Sequence, residues 1–273
     1  MKRCLGLSVS LLALLVGCSS GEAPNTRTLR LATTTSTRDS GLLDVLLPPF
    51  EAQHNVRVDV IAVGTGKALK LGEMGDVDAL LVHARQAEDE FLAAQHGVRR
   101  EDVMYNSFEL VGPPEDPAGT RGLSVIEGLQ KIAAGSCCFV SRGDESGTHK
   151  RELLLWKKSG GRPNWANYLE AGQGMGATVA IADQKAGYTL TDHSTYLRFR
   201  SKVDLVSLSA HSEDLKNPYG VLVVNPNKHP SVSNDLADAF ADFLISPQAQ
   251  RLIANYQLLG EALFVPMRFP PAQ

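Results

Sequence analysis

Hydrophobic positions along the chain come as short apolar runs, each followed by a stretch in which they recur at helical spacing. The first run, 29–32, has strand length, and behind it Leu42, Leu43, Val45, Leu46 and Leu47 are spaced as one face of a helix. Residues 56–63 (VRVDVIAV) alternate and then turn wholly apolar, which predicts a second strand; Ala68, Leu69 and Leu71 mark the helix after it. The pair recurs as a strand over 77–83 and a helix over 84–95 with a charged outer face, and 103–112 reads as a further strand.

From Pro113 the pattern restarts. A helix is predicted over 122–134, with Val125, Ile126, Leu129 and Ile132 on one side, then a strand over 137–141 and a helix over 150–158. A Gly-rich passage near 172–176, a helix over 175–186, a polar loop over 188–194 and a strand over 203–208 follow. The chain then returns through an apolar strand at 219–224 to helices over 233–244 and 247–256. Alternating strands and helices predict a mostly parallel α/β sheet covered on both faces. The restart predicts two doubly wound α/β lobes joined by a two-crossover hinge: lobe I over 29–112 and 218–267, and lobe II inserted over 113–217. Such lobes can close on a ligand.

Where two of the strands end, the residue types change abruptly. The first runs into Thr33, Thr34, Thr35, Ser36 and Thr37, with no carboxylate before Asp39. A strand that ends in hydroxyls and enters a helix offers free N–H groups, O–H donors and the positive end of the helix dipole, which suits an anion. An ordinary helix start needs only one capping hydroxyl, so both readings fit this loop by itself. Gly64, Thr65 and Gly66 end the 56–63 strand, and in α/β sheets ligands sit beyond the carboxyl ends of strands. In the loop 141–149, Ser141, Ser146 and Thr148 bring O–H donors, Gly143 and Gly147 expose N–H groups, and Arg142 brings a rigid donor fork matched to a tetrahedral oxyanion. A capped surface turn accounts for the Gly and Ser here but not for an Arg directly behind the strand.

Composition adds bounds. The chain has 273 residues, 43% hydrophobic and 21% charged, long enough for two cores. A formal net charge of −3 without long charged runs leaves no footprint for nucleic acid. At the N-terminus, Lys2 and Arg3 precede an apolar stretch over 5–16, too short to span a bilayer as a mature helix. Leu15-Val16-Gly17-Cys18 resembles the lipobox of bacterial lipoproteins, which predicts a signal peptide over 1–17, lipidation of Cys18 and a polar tether over 18–28. A plain secretory signal with a chance Cys is the alternative, and both export the chain. Removing 1–17 takes away Lys2 and Arg3, leaving 25 basic against 30 acidic residues, a net of −5. The adjacent Cys137 and Cys138 lack the partners a zinc site needs. They read as two small strand residues, with a strained vicinal disulfide as the alternative.

Enzyme motifs fail in detail. Gly143-x-x-Ser146-Gly147 places its serine one position late for a nucleophile elbow. Gly66-Lys67 resembles the end of a P-loop, but position 61 is Ile and position 68 is Ala. A triad of Ser146, His149 and an Asp keeps a secreted hydrolase open as an alternative. His83, His193 and His211 are scattered, so neither a metal site nor a cofactor is expected.

Taken together, the segments resemble the tungstate-binding components of bacterial ABC importers, type II periplasmic-type solute-binding proteins. The resemblance rests on Ala32-Thr33-Thr34-Thr35-Ser36-Thr37 with Ser40-Gly41-Leu42-Leu43, on Val63-Gly64-Thr65-Gly66, and on Gly75-Asp76-Val77-Asp78 with Leu81-Val82-His83-Ala84. It continues through Tyr105-Asn106, Asp116-Pro117-Ala118, Phe139-Val140-Ser141-Arg142-Gly143-Asp144 with Ser146-Gly147-Thr148-His149, Tyr188-Thr189-Leu190-Thr191-Asp192 and Asn217-Pro218-Tyr219. Glu145, where Asp is commoner, and the Cys pair are departures that touch no proposed donor. The resemblance implies a type II periplasmic binding protein fold, no catalysis, and an oxyanion clamp of Thr34, Ser36, Arg142 and Thr148. Thr35, Thr65, Gly66, Ser146 and Gly147, on the same strand ends, complete the expected ligand-binding set. It further implies a monomer, lipid-anchored outside the cytoplasm, that passes tungstate to a membrane permease. Tungstate carries no proton near neutral pH, so its site should be rich in donors and free of a facing carboxylate. Asp144 is therefore expected to cap the following helix or pair with a cation. Molybdate, sulfate or phosphate on the same scaffold is the alternative; only the resemblance separates tungstate from molybdate, which matches it in size and charge.

Overall fold

The computed structural model describes residues 26–268. The predicted signal segment 1–17, Cys18 and the tether as far as residue 25 lie outside the described residues. The chain begins with β1 (Arg27–Thr34), the short α1 (Thr35–Ser40), α2 (Leu43–His54), β2 (Val56–Val63), α3 (Thr65–Met74), β3 (Ala79–Val82), α4 (Arg85–Ala93) and β4 (Gly97–Gly112). Next come α5 (Val125–Ala134), β5 (Phe139–Ser141), α6 (Gly147–Lys158), β6 (Tyr168–Glu170), α7 (Met175–Gln184), β7 (Thr189–Asp192), α8 (His193–Phe199) and β8 (Val206–Ser207). The return consists of β9 (Lys216–Val224), α9 (Asn234–Ile245), α10 (Pro247–Asn255), and the short β10 (Gln257–Leu258), β11 (Glu261–Ala262) and β12 (Val265–Pro266).

The main sheet runs β2-β1-β3-β9-β4-β12. β1 is parallel to β2 and β3, as expected, but β9 is antiparallel to both β3 and β4. The sheet is thus mixed rather than mostly parallel. A strand covered on both faces is an apolar run whichever way it points, so 221–224 carry no signal of direction. Alternate side chains feed opposite cores: Ala79 and Leu81 of β3 join Leu29, Leu31, Phe50 and Phe240, whereas Leu80 and Val82 join Ala32, Leu69 and Phe91. Each fully buried side chain of this size stabilises the fold by about 1.5–3 kcal/mol.

β4 has 16 residues and does not stop at the sheet. Its far end pairs with β7 over 108–111 and with β8 over 111–112. There Phe108 and Leu110 pack with Phe139, Trp156 and Tyr188, and Val111 with Val140 and Val179 on the opposite face. β9 is the second crossing, its Asn217 paired with Asn106 of β4.

Three local expectations change. The polar loop at 188–194 is instead the buried β7 and the start of α8. Its threonines stay inside because they bond backbone carbonyls, Thr189 Oγ1 donating to Val140 O at 2.7 Å, while Tyr188 and Leu190 keep the strand period. The helix expected from 150 starts at Gly147, because Ser146 caps it. The strand at 203–208 shortens to Val206–Ser207. Cys137 and Cys138 carry free thiols that pack against different cores.

Candidate functional site

The first loop is organised around Thr34. It caps α1, accepting from Thr37 N at 3.2 Å, with its Oγ1 2.6 Å from Thr37 Oγ1 and 3.1 Å from Ser36 Oγ. Thr34 is buried, Thr35 exposed and Ser36 half-buried. A turn later Gly41 adopts φ +84°, which reverses the chain into α2. Next to this loop, α3 opens at Thr65 behind Gly64, whose lack of a side chain leaves the first-turn N–H groups of Thr65, Gly66 and Lys67 without a side-chain cap. Thr65 is buried and Gly66 exposed.

The second loop joins β5 to α6. Arg142 Nε donates to Asp144 Oδ2 at 2.8 Å, and Ser146 N donates to Asp144 Oδ1 at 3.1 Å, so Asp144 both pairs with the cation and ties down the helix start. Among the described residues neither Nη group of Arg142 has a protein partner, so both remain open to a further acceptor. Gly143 sits at φ +63°, where a Cβ would lie 2.8 Å from Glu170 Cβ. Ser146 caps α6 by accepting from His149 N at 3.3 Å, and Thr148 is buried behind it.

One close approach joins the loops. A methyl group on Gly147 would lie 3.1 Å from His83 Cε1 and 3.8 Å from Thr65 Oγ1. The structure therefore brings the starts of α3 and α6, the Thr34–Ser36 turn and Arg142 to one cleft between the lobes. Arg142 also acts electrostatically on His83. A cavity of about 560 Å³ lined by His83, Phe108, Gly147, Lys150, Arg151 and Asn217 opens beside it. A further contact links α8 to α1, an Arg198 Nη group donating to the Asp39 carbonyl.

His83, Asn217 and Tyr219 were not among the expected site residues, whereas Thr34, which His83 also meets, was. The Nε2 of His83 is 3.2 Å from Thr34 Oγ1, its Nδ1 3.1 Å from Asn217 Oδ1, and its ring lies against that of Tyr219 with centroids 4.7 Å apart and planes tilted by 34°. Burial holds its pKa below 6.5, countered in part by Asn217 and the Asp192 charge. The available signal was its place at the carboxyl end of β3. Asp192, the carboxylate whose charge reaches His83, is engaged by its own helix, accepting from Thr195 N at 2.9 Å and Thr195 Oγ1 at 2.7 Å. Donors thus outnumber free acceptors, which suits a fully deprotonated tetrahedral oxyanion. The Ser146–His149 pair of a hydrolase does not form: Ser146 Oγ meets the His149 backbone, and the His149 ring accepts from Glu145 N at 3.1 Å.

Residues 19–248 match the PBP superfamily domain. A tungstate-binding protein, TupA, of Peptoclostridium acidaminophilum is 43% identical over 97% of this chain and 99% of its own length. The solved structure of TupA from Desulfovibrio alaskensis G20 is 46% identical, covers 89% of this chain and 99% of its own, and superposes with a TM-score of 0.84. The crystal structure of the tungstate ABC transporter from Geobacter sulfurreducens is 53% identical, covers 84% of this chain and 98% of its own, and gives a TM-score of 0.76. With loops, crossovers and cleft alike in place, the chain belongs to the PBP superfamily, in the family of the tungstate-binding TupA proteins of ABC transporters.

Proposed function

We propose that this protein captures tungstate between its lobes outside the cytoplasm and hands it unchanged to an ABC permease. The observation that carries the reading is the approach of Gly147 to His83 and Thr65, which sets the start of α6 face to face with the uncapped start of α3, with Arg142 alongside. Ser36, the first-turn N–H groups at Thr65 and Gly66, the Arg142 fork, and the N–H and O–H groups of Gly147 and Thr148 are the donors to the anion. Ser146 and Asp144 hold the second loop in shape, and Thr35 flanks the mouth. Charge-assisted hydrogen bonds contribute about 1.5–3 kcal/mol each, while nanomolar capture needs about 12 kcal/mol net. Donors from both lobes are therefore required, so binding and closure are one event.

The working units are lobe I, 29–112 with 218–267, and lobe II, 113–217. The mature chain acts as a monomer held to the membrane through lipid on Cys18, after removal of 1–17. It performs no catalysis. Calorimetry of the form lacking 1–18 against tungstate, molybdate, sulfate and phosphate tests the assignment. Tight tungstate binding with much weaker sulfate and phosphate is expected, the molybdate ratio sets the selectivity, and no heat with any oxyanion would overturn it.

A further inference from the structure

A chain of buried polar groups runs from the first loop into both crossover strands and back. Asn217 Nδ2 donates to Asn106 Oδ1 at 2.8 Å, which turns Asn217 Oδ1 toward His83 Nδ1 at 3.1 Å. A carbonyl oxygen only accepts, so the ring proton sits on Nδ1. Burial lowers the pKa of this imidazole, which leaves Nε2 bare and accepting near neutral pH. Thr34 Oγ1, 3.2 Å from Nε2, must then donate to it. Its two lone pairs face Thr37 N at 3.2 Å and Thr37 Oγ1 at 2.6 Å. Asn106 Nδ2 donates to the Tyr219 hydroxyl at 3.3 Å, and that hydroxyl faces the Thr37 side chain again. Thr34, Thr37, Asn106, Asn217 and Tyr219 are all buried.

Each of these hydroxyls has one proton, and the arrangement fixes where those of Thr34 and Ser36 go. Thr34 has none left for the cleft. Ser36 Oγ lies 3.1 Å from a Thr34 oxygen whose lone pairs are already taken, so its proton is free to turn outward.

We propose that His83 is a positioning residue for anion capture: with its proton on Nδ1 it draws the Thr34 hydroxyl proton inward, making Ser36 the O–H donor of the first loop. Thr34, which looks like a ligand by its place in the sequence, is instead the link between Ser36 and the crossover strands. The assignment rests on the capture reading above, deepens it, and is tested apart from it.

Nitrogen NMR of the wild-type ring, free and with tungstate, is expected to show Nδ1 protonated and Nε2 bare in both states. The opposite tautomer, or an imidazolium near neutral pH, would overturn the proposal. In calorimetry, His83→Asn keeps a donor toward Asn217 but removes the acceptor for Thr34, and Thr34→Val removes the hydroxyl. Each is expected to weaken tungstate roughly tenfold, and the double variant also by roughly tenfold, because both cut one link. A multiplicative loss of roughly a hundredfold in the double variant, or a single variant within about twofold of wild type, would overturn it. Failure of the wild type to bind tungstate would instead remove the capture reading, which the ring tautomer of the free protein does not depend on.

Discussion

Replacing Arg142 by Ala should cost more affinity than any other single change in the cleft. Two charge-assisted hydrogen bonds from its unpartnered Nη groups are worth about 3–6 kcal/mol together, a loss of about a hundred- to ten-thousand-fold. The substitution has a second consequence, because Arg142 Nε holds Asp144 Oδ2 at 2.8 Å. Without the guanidinium that carboxylate keeps Ser146 N at 3.1 Å but loses its counter-charge beside a dianion. Unit charges 4 Å apart interact by about 4 kcal/mol at the effective dielectric of a protein surface, and less as the separation grows. Adding Asp144→Asn to Arg142→Ala is therefore expected to recover about tenfold. Titration calorimetry with tungstate on the wild type, the single and the double variant measures both effects. Arg142→Ala within about threefold of wild type, or a double variant no tighter than the single, would refute the reasoning.

Gly147→Ala places a methyl 3.1 Å from His83 Cε1, so tungstate affinity should fall several-fold while the melting temperature of the free protein holds; unchanged affinity would mean the lobes meet elsewhere. Gly41→Ala forces a side chain to φ +84° with its Cβ 2.7 Å from Tyr256 Oη, and urea unfolding should report a loss of about 1–3 kcal/mol. Stability should also depend on His83 protonation. Its folded pKa lies below the 6.5 of the free side chain, so the unfolded state binds the extra proton and stability falls as pH drops below about 6.5. His193, raised by its bond and charge pairing with Glu109, works in the opposite sense. The readout is hence the difference between wild type and His83→Asn, the variant losing less between pH 7 and 5; parallel curves would contradict the neutral ring.

Much of the scaffold was legible because it is local. The β2 span 56–63 follows from alternation alone, and α9 from the recurrence of Leu236, Ala237, Phe240 and Phe243. Both donor loops stood out because hydroxyls, glycines and an Arg at strand ends have few other uses. What escaped is non-local. The direction of β9 depends on which strands flank it, and both flanking strands are far off in the chain. β7 looked like a loop because its threonines are polar by composition, yet carbonyls supplied by the fold satisfy them. His83 stood inside a segment of the resemblance but gave no sign of its role, since its partner Asn217 is 134 residues away.

The continuous β4 changes what kind of joint this molecule has. A linker of loops would let one lobe swing through a wide cone, whereas paired strands crossing together at Asn106 and Asn217 behave as a flexure. Such a part bends readily about one line and resists shear and twist along the others, so successive closures retrace the same arc. Register between the lobes is then a property of the backbone itself. Cargo need only complete an alignment that the paired strands have already set.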